Sequence, residues 1–174
     1  MAENERTRTR ERGPLPGALY EQFLKRLADF HDRQAAGKIH IKKSDIVAQM
    51  SRQSHAEYFL ATDTFPTVLQ DWRVFISNIR KQSGKHRHQG GLVIFVLEGS
   101  GWSICDGERH DWEAGDLILL PIKPGGIEHQ HFNTEGVITR WIALIYVPQW
   151  QESASELVQL EVLLDYQKKF GDQL

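Results

Sequence analysis

SGKHRHQGGLVIFVLEGSG, residues 83–101, sets two histidines one residue apart ahead of an apolar run. Side chains along a β-strand alternate faces, so His86 and His88 point the same way. Two imidazoles side by side on one face are the simplest pair of nitrogen ligands that a sheet can offer a metal ion. A second stretch, GDLILLPIKPGGIEHQHFN at 115–133, repeats the arrangement with His129 and His131. The expectation is that the rest of the chain brings these two strands face to face. Along an unbulged strand, Gly90, Leu92, Ile94 and Val96 would share the inward side of His86 and His88. Asn133 would share that of His129 and His131. A lone H-x-H is as well explained by an exposed loop pair. Here five of the eight histidines fall between residues 86 and 131, and that concentration favours a site.

Outward from the histidines, the chain is organised in four parts. Residues 1–16 are charged, with arginine at 6, 8, 10 and 12 and almost nothing apolar, and read as a flexible arm. Residues 17–65 read as a helical extension. Leu19, Phe23, Leu27 and Phe30 form one stripe that Gly37 stops, and a second short helix starts at Ser44 or Asp45 ahead of residues 46–50. Residues 66–148 hold short β-rich runs separated by turn signals such as Asp106-Gly107, the pattern of an antiparallel sandwich or barrel. Residues 149–174 return to a helical period, with Ser153, Leu157, Leu160 and Leu164 on one face.

The 174 residues suffice for one domain with a core. A net charge of −2 argues against nucleic acid or an anionic membrane surface as partner. Cys105 is the only cysteine, so no disulfide framework exists, and a cytoplasmic location is expected. No apolar run reaches the ~18–20 residues of a membrane helix.

With these residues in view, the chain resembles the cupin superfamily, whose signatures are G-x5-H-x-H-x3,4-E-x6-G and G-x5-P-x-G-x2-H-x3-N. His86, His88 and Gly99 match the first, with Arg80 in place of the leading glycine. Gly115 and, after a three-residue insertion, Pro124, Gly126, His129 and Asn133 match the second. The resemblance covers roughly residues 70–148. It implies a mostly β, antiparallel jelly-roll barrel, flanked by the N-terminal helices and a C-terminal helix, with a metal held by His86, His88 and His129. The glutamate of the first signature is replaced by Leu92, so the implied site has three histidines and no acid.

Such a site leaves the full charge on the ion and favours a small anionic chelating substrate. Within the superfamily, the pattern resembles the iron dioxygenases of the gentisate-dioxygenase-like branch. This implies Fe(II) and O2, and cleavage of a C–C bond in an aromatic hydroxy acid or a β-dicarbonyl compound. Zn, Mn or Ni would instead support a redox-neutral decarboxylase or isomerase, and a non-catalytic ligand-binding barrel is the third reading. His131 is assigned the catalytic role, hydrogen-bonding to substrate and moving a proton, because a fourth ligand would block a position that O2 chemistry needs. Arg80, Leu92, Arg140 and Trp141 are the candidate substrate contacts, the arginines for a carboxylate. Exposed edges around a single barrel point to a homodimer or higher homo-oligomer.

Overall fold

Alternation of buried and exposed side chains builds the walls that carry the histidines. The computed structural model describes residues 19–61, 66–134, 136, 138–152 and 156–171. The expected arm at 1–16 and Ser153 lie outside the described residues. The described residues divide into two units, one of residues 19–40 together with 66–70, the other holding the remainder.

The first unit is built on helix α1, Leu19–Ala36. Its apolar stripe is as expected from the sequence, yet no residue of α1 is buried and Leu19, Phe23 and Leu27 stay exposed. Gly37 follows because a side chain there would run into the backbone of Thr67, its Cβ only 2.3 Å from a carbonyl carbon. That close approach lets Lys38 bridge to residues 66–68 through two backbone hydrogen bonds.

The second unit begins with a 3₁₀ turn at Lys43–Asp45 and continues into β1 (Val47–Met50), β2 (His55–Leu60), β3 (Trp72–Ile79), β4 (Lys85–His88) and β5 (Leu92–Glu98). Next come β6 (Ser100–Cys105), β7 (Glu108–Glu113), β8 (Leu117–Leu120), β9 (Ile127–Asn133) and β10 (Thr139–Tyr146). Helix α2 (Val147–Glu152), β11 (Val158–Glu161) and helix α3 (Leu164–Phe170) complete it. The strands form two antiparallel sheets, in the orders β1-β2-β3-β10-β5-β8 and β11-β4-β9-β6-β7. Their inner faces enclose a core that includes Ile79, Leu92, Ile94, Val96, Trp112, Trp141 and Ala143. This is the jelly-roll barrel expected from the sequence.

Two expectations about the ends are corrected. Residues 46–50 do not form a helix: after the 3₁₀ turn they become β1, which pairs with β2 in the register Val47↔Tyr58 to Met50↔His55. The Ser51 hydroxyl accepts the N–H groups of Gln53 and Ser54 and closes that hairpin. A short apolar run has no period long enough to tell helix from strand, and the sheet edge decides. The extension at 17–65 is therefore part helix and part sheet. The expected C-terminal helix is present as α3, but the stretch before it is not helical throughout: α2 and the strand β11 precede it. Leu157, Leu160 and Leu164 are exposed, and Leu163 alone among the neighbouring leucines is buried. β11 instead covers the edge of β4, pairing Val158 with Arg87 and Gln159 with His86. Without it the strand carrying two of the histidines would have an open edge.

One further difference bears on the site. His86 and His88 do not lie on one strand with the apolar run. The chain turns at residues 89–91 and passes from the five-stranded to the six-stranded sheet. Leu92, Ile94 and Val96 still face inward because both sheets turn their buried rows toward the same interior.

Candidate metal centre

His86 and His88 on β4 and His129 on β9 meet because the two strands are paired in register His86↔His129 and His88↔Ile127. All three are buried, and one ligand nitrogen from each lies within 4.8 Å of the others. Ring centroids stand 4.2 Å apart for His86 and His129, 4.7 Å for His88 and His129, and 5.6 Å for His86 and His88. Each ring is turned by its backbone. The Nδ1–H of His88 donates to the Gly90 carbonyl (2.9 Å), that of His129 to the Ile127 carbonyl (3.2 Å) and that of His86 to the Gly84 carbonyl (3.4 Å). A carbonyl accepts only, so it fixes the proton on Nδ1 and leaves the Nε2 lone pair for a cation. Trp150 packs against His88, with ring centroids 4.5 Å apart. It has room only because residue 90 is glycine: a Cβ there would fall 2.3 Å from its ring.

Does this constellation fit a divalent metal? Three observations say that it does. Nε2 of His129 is buried without a hydrogen-bond partner. Each ring has its tautomer set for Nε2 ligation. Burial, with like-charge repulsion between the rings, keeps the imidazoles neutral. Burial first, then His88, lowers the pKa of His86 to about 4, burial lowers His88 to about 4, and His129 is pushed well below its ordinary 6.5. No Asp, Glu, Lys or Arg among the described residues is buried, so the donor set is purely imidazole, suited to a first-row ion.

These shifts give a sign to acid sensitivity. Above pH 6.5 the rings are neutral in both folded and unfolded chains. Below it the unfolded chain takes up protons that the folded one refuses until about pH 4. Stability of the metal-free protein is therefore full above pH 6.5 and falls as pH drops from 6.5 toward 4. Urea midpoints measured across that window on metal-free protein are expected to decline steadily. A flat profile would contradict neutral burial of the cluster.

His131 joins the group from the next inward position of β9. Its ring lies 5.4 Å from His129 and 5.1 Å from Trp141, and burial lowers its pKa to about 3. Its Nδ1 is 2.7 Å from the Ser103 hydroxyl, which also accepts the indole N–H of Trp112 (2.9 Å). Among the described residues Ser103 Oγ has no other partner. Every hydrogen is satisfied when Trp112 donates to Ser103 and Ser103 donates to His131 Nδ1. That leaves the His131 proton on Nε2, making the ring a donor and not a ligand. The Ser103–Trp112 support of this ring was not anticipated from the sequence. The signal was the inward row Gly101, Ser103, Cys105 on β6, small residues paired with Asn133, His131 and His129. Small side chains there leave room for imidazoles on the neighbouring strand.

The four expected substrate contacts divide. Trp141 is buried on the inner face beside His131. Leu92 also faces inward, as a member of the apolar core. Neither arginine does. Ile79 ends β3 pointing inward, so Arg80 points out and is exposed. The Asp165 carboxyl is held below its usual range mainly by the His55 hydrogen bond, and to a lesser degree by Arg80. Arg140 adjoins inward Trp141 and so occupies the outer face. There it pairs with Glu57 (3.5 Å) and Glu98 (3.3 Å) and donates to Asn78. Glu98 lies at the solvated end of β5, His110 is exposed, and Gln89 accepts the backbone N–H of Glu156. Asn133 ties the barrel by donating to the Arg80 carbonyl (2.5 Å).

The family profile described as Cupin domain matches residues 76–145. A search of curated proteins gives no significant match. Among solved structures, the chain is similar to the polyketide cyclase RemF from Streptomyces resistomycificus, with a TM-score of 0.56 and 15% identity over 77% of this chain and 94% of that one. It is similar to Pac13 of Streptomyces, described as a nucleoside dehydratase, with a TM-score of 0.53 and 13% identity over 71% of this chain and 93% of that one. It is also similar to a variant of salicylate 1,2-dioxygenase from Pseudoaminobacter salicylatoxidans in complex with gentisate, with a TM-score of 0.51 and 16% identity. That match covers 74% of this chain and 36% of the dioxygenase.

Proposed function

We propose that this chain, whose residues 76–145 match the Cupin domain profile, is a metal-dependent enzyme of the cupin superfamily acting on a small oxygen-rich substrate, foremost as an Fe(II) dioxygenase that cleaves a C–C bond. The observation that carries the reading is the convergence of three neutral, backbone-oriented imidazoles with no acid among them. His86, His88 and His129 would hold the ion through Nε2. Bound there, the ion supplies Lewis acidity toward chelating oxygens and, as iron, the electrons that O2 activation requires.

The chain's own groups do the rest. The carbonyls of Gly84, Gly90 and Ile127 hold the three rings in their ligating tautomer. Trp112, through Ser103, holds His131 with its proton on Nε2, its ring beside that of His129. A donor at that place stabilises an oxygen on which negative charge develops, and burial makes the bond stronger than it would be in water. Cys105, Trp112 and the other core side chains exclude bulk water.

A redox-neutral reading draws support from the cyclase and dehydratase among the structural neighbours, since the same ligands bind zinc, manganese or nickel. Loading the metal-free protein anaerobically with Fe(II) or Zn(II), then screening hydroxy-aromatic acids and β-dicarbonyl compounds, separates the two. The expected result is turnover with iron only, with one O2 consumed per product. Turnover by the zinc form without O2 would establish the redox-neutral alternative and overturn the dioxygenase.

A further inference from the structure

Two polar atoms on the six-stranded wall remain unaccounted for by the metal centre and by His131. The inner row of that sheet runs Ala56, Ser77, Trp141 and Val96 across β2, β3, β10 and β5, each a register partner of the next. Ser77 has 0% exposure and Trp141 4%. The Ser77 hydroxyl and the Trp141 indole N–H are both buried without a partner. The indole ring meets His131 on one side and Phe75, at 6.1 Å, on another. Facing positions on paired strands hold their Cβ atoms ~4.5–5.5 Å apart, so the two residues that carry these donors are cross-strand neighbours. A buried donor left unpaired is a standing cost to the fold, and two on adjacent positions call for a shared acceptor.

We infer that Ser77 and Trp141 form a two-donor subsite on the β3–β10 wall that receives an uncharged carbonyl or hydroxyl oxygen of the substrate whose other oxygens engage the histidine centre. This rests on the proposed metal-dependent reading and narrows its substrate class. An uncharged oxygen is favoured because both donors are neutral. No lysine or arginine among the described residues is buried to meet a carboxylate. Arg80 and Arg140 face outward. Arg73 shares the inward side of β3 but lies four residues from Ser77, roughly 13 Å along the strand. A carboxylate desolvated against two neutral donors would pay more than they return. The substrate is therefore a compact chelator bearing an additional keto or hydroxyl oxygen, not a second acid.

The test uses zinc-loaded protein without O2 and three probes: catechol, 2,3-dihydroxybenzaldehyde and 3,4-dihydroxybenzaldehyde. All three carry the same pair of chelating oxygens, and the aldehydes add a carbonyl at two different reaches. Calorimetric affinities are compared for wild type, Ser77→Ala and Trp141→Phe. At least one aldehyde is expected to bind more tightly than catechol to wild type. That advantage is expected to shrink by about 5-fold in each variant, with catechol affinity and zinc stoichiometry unchanged in Ser77→Ala. Ser77→Ala removes only a hydroxyl, so it carries the test even where Trp141→Phe folds poorly. An advantage that is absent from wild type, or equal in wild type and Ser77→Ala, overturns the subsite. So does a loss of catechol affinity as large as that of the aldehydes. In each of these cases zinc still binds, which sets them apart from failure of the metal reading, where wild type takes up no zinc and both inferences fall.

Discussion

Replacing His129 by alanine is expected to reduce bound metal from one ion per chain to a trace. His129 stands between the other two ligands, closer to each than they are to one another, and its Nε2 has no other partner. Two imidazoles on one strand cannot enclose an ion alone. Sharing the ~10–16 kcal/mol of a well-formed zinc site among three ligands puts the loss at about 3–5 kcal/mol, an affinity reduced on the order of 10³-fold. Metal bound only to the native state adds about 4 kcal/mol to stability at a thousandfold excess over its dissociation constant. Thermal melts with and without zinc should show a clear upward shift for wild type and none for His129→Ala. The metal-free variant should still fold, because the carbonyl hydrogen bond that it loses holds a ring and not a strand. An undiminished zinc shift in His129→Ala would remove this residue from the ligand set.

The second large effect is on the scaffold. Gly101→Ala would place a Cβ 2.0 Å from the Phe132 carbonyl oxygen and 2.6 Å from the Trp112 ring. The first neighbour is backbone and cannot swing aside. Relief requires β6 to move off β9, and the ladder lost includes the pairs Ser103↔His131 and Cys105↔His129. The second neighbour is the indole that anchors Ser103. Overpacking a core typically costs ~1–3 kcal/mol, and a clash with main chain belongs above that range. We expect Gly101→Ala to lose more than about 3 kcal/mol by urea unfolding, or to fail to fold. A midpoint within error of wild type would show that the β6–β9 approach is looser than described. At Gly107 the φ of +88° marks a turn with nothing within 4 Å of a Cβ, so alanine there meets only local backbone strain.

These effects also show what the sequence made legible. Strand period and two H-x-H pairs suffice to place His86, His88, His129 and His131 on inward faces, because parity is a local property. The same parity forbids Arg140 and Trp141 from both facing the site, and the structure keeps the tryptophan. What stayed hidden depends on pairing between distant segments. β11 is a strand only because β4, some seventy residues earlier, has an edge to cover. β1 is a strand because β2 is beside it. The donor role of His131 needs a hydroxyl from β6 and an indole from β7, and Ser77 matters only beside Trp141. None of these signals lies within a single stretch of chain.

The central claim is that three imidazoles, and no carboxylate, hold one divalent ion in the barrel. X-ray absorption at the metal edge of anaerobically loaded protein tests it most directly. The expected result is three imidazole nitrogens at ~2.0–2.2 Å, seen through their ring scattering, with only light water-like atoms beside them. An ion without imidazole scattering, or no ion taken up at all, would contradict it.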